Sequence, residues 1–398
     1  MNICYLVRSF STQAGTESYV HCMSMALARR GHTVHIVSLT GRGRRHFEGL
    51  EDQIFVHHLD FTEEAFRGSW LLDRVIPLSV WRYGQLVSHI MPDLIRRHAI
   101  DIIEATDWGM DAWAYLGKRK VPVCVRLHGY PGFKDDFDRG ILKQWSKNRL
   151  LWSLFRKHLL GADLVTGVSE SYIRFARNAW ELKDRDIQFI PISINLDIFH
   201  PTDTPREDQA ILFVGRLEES KGIAVLAHAF PLVLREMPHT KLYLAGQDYQ
   251  YMDSQQTWSQ HLIDVFGKDR IVYLGSLPTQ ELVHYYRLAS ICVVPSLYEP
   301  GGTAMFEAMA CGCPVIVSKV GGLGEAIKDR QTGLLIQPAE SKALAGASVE
   351  LLQQPHLRHH ISQHALDTVR CGFDINRIAS QTLNAYRQAI STFKTRSN

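Results

Sequence analysis

Residues 295–326 read PSLYEPGGTAMFEAMACGCPVIVSKVGGLGEA. The apolar run Ile291–Val294 just before them reads as a strand ending at Pro295. A loop follows with Glu299, Pro300, Gly301, Gly302 and Thr303, then a helix that carries Glu307, then a strand over Pro314–Val317. Strand, glycine loop, helix, strand is the repeating unit of a parallel sheet with crossover helices. Bare glycines let a backbone approach a ligand, and helix N-terminal N–H groups suit an anion or sugar oxygens. Glu299 and Glu307 are eight apart, one in the loop and one about a turn into the helix. Both carboxylates suit the hydroxyls of a ribose or a sugar. A first turn that carries acid only for the helix dipole explains either glutamate, but not the whole loop.

Upstream, residues 211–222 read ILFVGRLEESKG. A strand ends at Gly215, and Arg216 and Lys221 follow in one loop. Two cations past a strand end suit a diphosphate, although taken alone they read better as solvated surface cations. The same alternation runs on through Lys241–Ala245, Ile271–Leu274 and Ser290–Val294. It also fills the first half, in Ile3–Val7, Thr33–Ser38, Ile100–Glu104, Val121–Leu127 and Leu164–Val168. There the loop Ala14-Gly15-Thr16-Glu17 leads into a helix over Tyr19–Arg30 that Gly31 stops. The pattern breaks over 191–210, where Pro191, Pro201 and Pro205 punctuate a polar stretch. These features predict an α/β protein of two Rossmann-like β/α/β domains facing a cleft, spanning 1–200 and 207–374. A final helix within 375–398 is free to lie on either half. In open α/β sheets ligands bind beyond the carboxyl ends of the strands, so function is expected in the loops that follow them.

The 398 residues are 45% hydrophobic and 21% charged, ordinary globular usage that excludes disordered, collagen-like and coiled-coil chains. Net charge is +3, with 26 basic against 22 acidic residues in 1–200 and 18 against 19 thereafter, too even to imply a nucleic-acid partner. The seven cysteines are scattered, three of them (Cys4, Cys124, Cys292) inside apolar strand runs, which suits a reducing compartment. Cys311 and Cys313 form a C-x-C pair, a poor zinc signal. The opening MNICYLVRSF lacks the charged and apolar regions of a signal peptide, and no run has the length of a membrane span. The expected location is the cytoplasm, with peripheral membrane attachment left open.

Together these segments resemble the GT4 family of retaining glycosyltransferases, which have the GT-B fold. The likeness extends over nearly the whole chain. The family's E-x7-E element appears as Glu299…Glu307 inside EPGGTAMFEAMACGCPVI, and its G-R-x-x-x-x-K-G element as Gly215-Arg216…Lys221-Gly222. Its N-terminal glycine loop and helix appear as AGTESYVHCMSMALARRGHTV, its strand ending in HG as VRLHGY with His128, and a further strand and serine turn as ADLVTGVSE. Ala14 stands where the family has a first glycine, and Asn195 stands in the linker where an acid is common, so no role passes to Asn195. The resemblance implies a donor-side C-terminal domain and an acceptor-side N-terminal one. Arg216 and Lys221 would bind the donor diphosphate and stabilise the departing nucleotide. Glu299 would hold the transferred sugar, with the amides of Gly301, Gly302 and Thr303 beside it. Glu307 would hold the ribose, Gly15 would bring its amide to the phosphate, and His128 would contact the sugar. The implied donor is a nucleotide diphosphate sugar with no further cofactor. The acceptor is a glycan, a lipid-linked or a small molecule, as in polysaccharide biosynthesis.

Other signals are weaker. Asp136-Phe137-Asp138 and Asp184-Arg185-Asp186 match the D-x-D that holds metal in another glycosyltransferase fold, but neither follows a clear strand, and no metal site is expected. Gly41-Arg42-Gly43-Arg44-Arg45 reads as a solvated basic loop. Lys143–His158 mixes Lys143, Lys147, Arg149, Arg156 and Lys157 with Trp145, Trp152 and Phe155. It reads equally as an interfacial helix and as a core helix with its basic side chains outside. Three rival functions remain: a nucleotide-sugar epimerase or hydrolase of the same fold, a dinucleotide-dependent oxidoreductase, and a catalytically silent interaction protein. No G-x-G-x-x-G follows any strand, which counts against the oxidoreductase. The presence of Arg216, Lys221, Glu299 and Glu307 together counts against a dead site.

Overall fold

A computed structural model describes residues 1–8, 10, 15–39, 53–59, 78–107, 109–129 and 149–397. Ala14, the Gly41–Arg45 loop, Asp136–Asp138 and Lys143–Lys147 lie outside the described residues. The chain divides into two compact units, Met1–Pro191 with Ile375–Asn398, and Ile192–Asp374. The break at Pro191 falls upstream of the Pro201–Pro205 stretch.

The first unit holds a parallel seven-stranded sheet of order β3-β2-β1-β4-β5-β6-β7. Its strands are β1 (Asn2–Leu6), β2 (Thr33–Leu39), β3 (Ile54–Leu59), β4 (Ile102–Thr106), β5 (Val123–Leu127), β6 (Leu164–Gly167) and β7 (Gln188–Phe189). Helices α1 (Gly15–Ala28), α2 (Leu78–His98), α3 (Arg149–Gly161) and α4 (Glu170–Ala179) connect them. Strands covered on both faces need near-continuous apolar runs, and β4, β5 and β6 are buried along their whole length. Pro122 has no N–H to give to a ladder, so β5 starts at Val123 rather than Val121; the Pro122 carbonyl still accepts from the Ile103 amide.

Two charges lie within this apolar layer. Glu104 accepts from the Tyr19 hydroxyl at 3.0 Å and from the Tyr386 hydroxyl at 2.6 Å. Arg126 donates to the carbonyls of Ile190 and Pro191 at 3.0 and 2.9 Å and lies 4.5 Å from the centre of the Tyr19 ring. Burial raises the Glu104 carboxyl above its usual range, and Arg126 acts against that shift. Beside β2, His35 packs against His57 and His98, and burial together with those two rings lowers its pKa to about 4. The described half of the Lys143–His158 stretch fits the core-helix reading: Phe155 and Leu159 of α3 are buried, and Trp152 Nε1 donates to the Ala179 carbonyl at 2.9 Å.

The second unit has a parallel six-stranded sheet of order β10-β9-β8-β11-β12-β13. The strands are β8 (Glu207–Val214), β9 (Lys241–Ala245), β10 (Ile271–Gly275), β11 (Ala289–Val294), β12 (Val315–Ser318) and β13 (Leu334–Ile336). Helices α5 (Ile223–Glu236), α6 (Trp258–Phe266), α7 (Thr279–Leu288), α8 (Thr303–Ala310), α9 (Gly321–Ala326), α10 (Ser341–Gln353) and α11 (Pro355–Gly372) surround it. Its core gathers Ile211, Phe213, Phe230, Leu244, Ile291 and Ile316.

The chain then returns to the first unit as α12 (Ile375–Ser397). Ile378, Leu383 and Tyr386 of this helix join the core built by Ile3, Val20 and Met23. No helix among the described residues is long and apolar enough to cross a membrane.

Candidate active site

In each sheet the strand order reverses direction once, between β1 and β4 in the first unit and between β8 and β11 in the second. Loops leaving a sheet at such a switch point diverge, and the gap between them is where α/β folds hold ligands. In the second unit those loops are 215–222 and 295–302, the two segments singled out in the sequence. The structure brings them together. Leu297 N donates to the Ser220 carbonyl at 3.0 Å. Gly222, with φ +76°, lies so close to the other loop that a Cβ there would sit 1.9 Å from the Pro295 carbonyl oxygen. Only glycine fits such a position.

Across this contact Lys221 Nζ meets Glu299 Oε2 at 2.6 Å. Arg216 Nη2 is 2.9 Å from Glu218 Oε1. The Arg216 side chain keeps 53% of its exposure while that of Glu218 keeps 8%, so the guanidinium stands in solvent on a buried acidic footing. Ser220 Oγ donates to the same Glu218 carboxylate. The loop then turns into α8. Gly302, with φ +82°, caps this helix and its carbonyl accepts from Met305 N at 3.1 Å. The amides of Thr303 and its neighbours open the helix, and first-turn amides have no acceptor within it. Gly322 N donates to the Glu299 carbonyl at 3.0 Å, which ties the start of α9 to the loop.

Glu307 is half-buried on α8, where its Oε2 accepts from the Tyr286 hydroxyl at 2.8 Å. Burial of its carboxyl pushes its pKa up to about 7, against the pull of the Tyr286 hydrogen bond. At neutral pH this group therefore divides between carboxylate and acid, which suits a residue that exchanges hydrogen bonds with hydroxyls rather than one that pairs with a cation.

In the first unit Gly15 opens α1 with φ +38°. Tyr19, about one turn on, meets the His128 ring edge-on at 4.8 Å. His128 follows β5. Its amide donates to Asp107 Oδ1 at 2.9 Å, and the Gly129 amide donates to Oδ2 at 3.3 Å. Tyr172 OH holds that same Oδ2 at 2.9 Å. Burial, and secondarily the Arg126 charge, lower the His128 pKa well below its ordinary value. The ring is thus a neutral imidazole at physiological pH, able to donate one hydrogen bond and accept another.

Asp184 and Asp186 are exposed just ahead of β7, away from the strands' carboxyl ends. Sequence reasoning missed Glu218, Tyr286, Asp107 and Tyr19. Of these, Asp107 had a signal, an acid immediately after a strand that pairs with the HG strand. Tyr286 had none, because its contact with Glu307 spans two helices.

Two family models cover the chain: Glycosyltransferase Family 4 over residues 14–198 and Glycosyl transferases group 1 over residues 196–368. A glycosyltransferase of Methanocaldococcus jannaschii is 35% identical over 185 residues, 46% of each chain. The matched region thus spans about half the length of that relative. Among solved structures, sucrose-phosphate synthase of Thermosynechococcus elongatus superposes with a TM-score of 0.81 over 98% of this chain and 99% of its own, at 24% identity. Anabaena HepE, solved in complex with UDP and glucose, superposes with a TM-score of 0.70 over 96% of this chain and 98% of its own, at 19% identity. With one glycosyltransferase model on each half and both parallel sheets superposing on such structures, the chain belongs to the GT4 glycosyltransferases and has the GT-B fold.

Proposed function

We infer that this protein moves a sugar from a nucleotide diphosphate sugar to an acceptor hydroxyl, with retention at the anomeric carbon. The observation that carries this reading is the Lys221–Glu299 pair at the switch point of the second sheet, with the half-exposed Arg216 beside it. A diphosphate entering there meets two cations already positioned. As the bond from the anomeric carbon to the phosphate oxygen breaks, negative charge collects on that phosphate, and fixed cations stabilise it without reorganising. Lys221 exchanges part of its bond to Glu299 for the phosphate, which frees the Glu299 carboxylate for the sugar's hydroxyls. The amides of Gly301, Gly302 and Thr303 line the same loop. Glu307 accepts from the ribose hydroxyls.

Of the first unit, Gly15 and the neutral His128 imidazole are the groups that the family pattern offers to a phosphate and to a sugar. We assign none of these side chains as a nucleophile, since Glu299 is engaged by Lys221 and serves the sugar's hydroxyls. In this reading the departing phosphate takes the acceptor's proton, on the face where the acceptor oxygen forms the new bond. That same-face exchange gives retention. Arg216 and Lys221 supply the charge that a divalent ion supplies elsewhere, so turnover needs no such ion.

A thermal-shift screen against UDP-, GDP- and ADP-sugars identifies the donor. A ligand at about 100 times its dissociation constant stabilises by about 2.7 kcal/mol, which is readily seen. Proton NMR of the product then gives the anomeric configuration, and an inverted product overturns the same-face step. Turnover of the donor that is equal with and without acceptors would mean hydrolysis or epimerisation instead.

A further inference from the structure

We propose that His35, His57 and His98 form a binding site for one divalent first-row cation of the Zn2+ type, remote in sequence from the donor loops. The three residues come from three elements of the first unit: β2, the edge strand β3, and the last residue of α2. One ring nitrogen from each lies within 4.8 Å of the other two. His35 Nδ1 and His57 Nε2 are 3.0 Å apart, and the ring centres are 4.7 to 5.2 Å apart throughout the trio. A tetrahedral zinc with bonds of about 2.0–2.1 Å needs its ligand nitrogens about 3.4 Å apart. The His35–His57 pair opens by a few tenths of an ångström to meet that, and His98 closes by a side-chain rotation.

The surroundings select a cation. His35 is 3% exposed, and its ring packs against the rings of His57, His98 and Phe55. Three imidazole ligands suit zinc, copper or nickel and not magnesium or calcium, which take oxygen ligands. The site also lies at the C-terminus of α2, where the helix dipole favours positive charge. That terminus is held in place: Asn2 Nδ2 donates to the carbonyls of His98 and Ala99 at 3.0 and 3.1 Å, and Asp101 accepts from Asn2 N at 2.8 Å. His57 and His98 are half-buried, so part of each ring faces solvent, and a water would supply the fourth ligand. In chemical terms, cation binding replaces the N–H···N bond between His35 and His57 with two metal–nitrogen bonds, and the proton moves to the other nitrogen of its ring. The mechanical result is a clamp. Among the described residues β3 is paired on one side only, and the cation fastens it to β2 and to the end of α2.

The test uses the full chain without a histidine tag, stripped by a chelator, then titrated with Co2+ and Zn2+. One equivalent should bind, Co2+ should give the intense visible bands of four-coordinate nitrogen ligation, and Zn2+ should raise the melting temperature. His35→Ala removes a buried ring and risks the fold, so the decisive variant is His98→Gln, at the half-buried position. Outer-sphere partners of a metal site are worth 10–100-fold in affinity, so loss of a ligand should weaken Zn2+ binding by more than about tenfold. The double variant His360→Gln/His364→Gln removes the exposed histidine pair of α11 and should leave binding unchanged. Zn2+ binding that is no tighter in the wild type than in His98→Gln, or pale six-coordinate Co2+ spectra in both, would overturn the proposal.

Discussion

The roles proposed for Arg216 and Lys221, on the growing charge of the leaving group, and for Glu307, on the ribose, are separable by kinetics. Alanine at either cation removes a charged hydrogen bond worth about 1.5–3 kcal/mol, much of it realised in the transition state. We expect kcat to fall by roughly ten- to a hundredfold. Glu307→Gln should raise the donor KM and leave kcat nearly intact, because a grip on the ribose is equal in ground and transition states. Steady-state kinetics on the three variants checks this, and an equal loss of kcat in Glu307→Gln would refute the division of roles. A pH effect belongs to the same residue. The carboxyl has a pKa of about 7, so below that value it holds a proton and gives up an acceptor site. The diphosphate of a sugar nucleotide is esterified at both ends and does not titrate near neutrality. The donor KM should therefore rise as pH falls through about 7 in the wild type and stay flat in Glu307→Gln.

Among elements, the meeting of the two donor loops hangs on Gly222. Gly222→Ala places a methyl group against the Pro295 carbonyl and forces a left-handed backbone on alanine. A cost of about 1–3 kcal/mol is expected, as a lowered melting temperature together with weakened donor binding. Most of the strands were legible in the sequence because buried parallel strands are continuous apolar runs between glycine, proline and polar loops. Three strands were not. Ile54–Leu59 carries His57 and His58 in a six-residue strand, and this edge position lets polar side chains break the pattern. Gln188–Phe189 and Leu334–Ile336 are two and three residues long, too short for any periodicity. The candidate site was legible where chemistry sits in one loop, as with Arg216 and Lys221. It was illegible where a partner comes from another element, as with Tyr286 on α7 against Glu307 on α8, or Tyr386 against Glu104. Such contacts depend on packing that no local pattern encodes.

For the molecule as a whole, α12 is the decisive segment, since it completes the first unit. Ile378 and Tyr386 are fully buried in that unit's core, and each such side chain contributes about 1.5–3 kcal/mol by its burial. Tyr386 also satisfies Glu104, a carboxyl that is costly to leave unpartnered. A chain ending at Asp374 should thus lose the first unit's stability and keep the second unit's. Limited proteolysis with mass mapping should then cut within 1–191 while 192–374 resists. Tyr386→Phe is the milder form, with an expected loss of about 1–3 kcal/mol in the first unit's unfolding transition.

The return of residues 375–397 to the first unit also sets an order of assembly. A ribosome makes the chain from its N-terminus, and domains fold as their sequence emerges. Residues 1–191 emerge before residues 192–374, yet the helix that covers Ile3, Val20 and Met23 emerges after both. The second unit has everything it needs once Asp374 has left the exit tunnel. The earlier-synthesised unit must wait with an apolar face uncovered until residues 375–397 have followed. Birth order and completion order are therefore opposite for the two units.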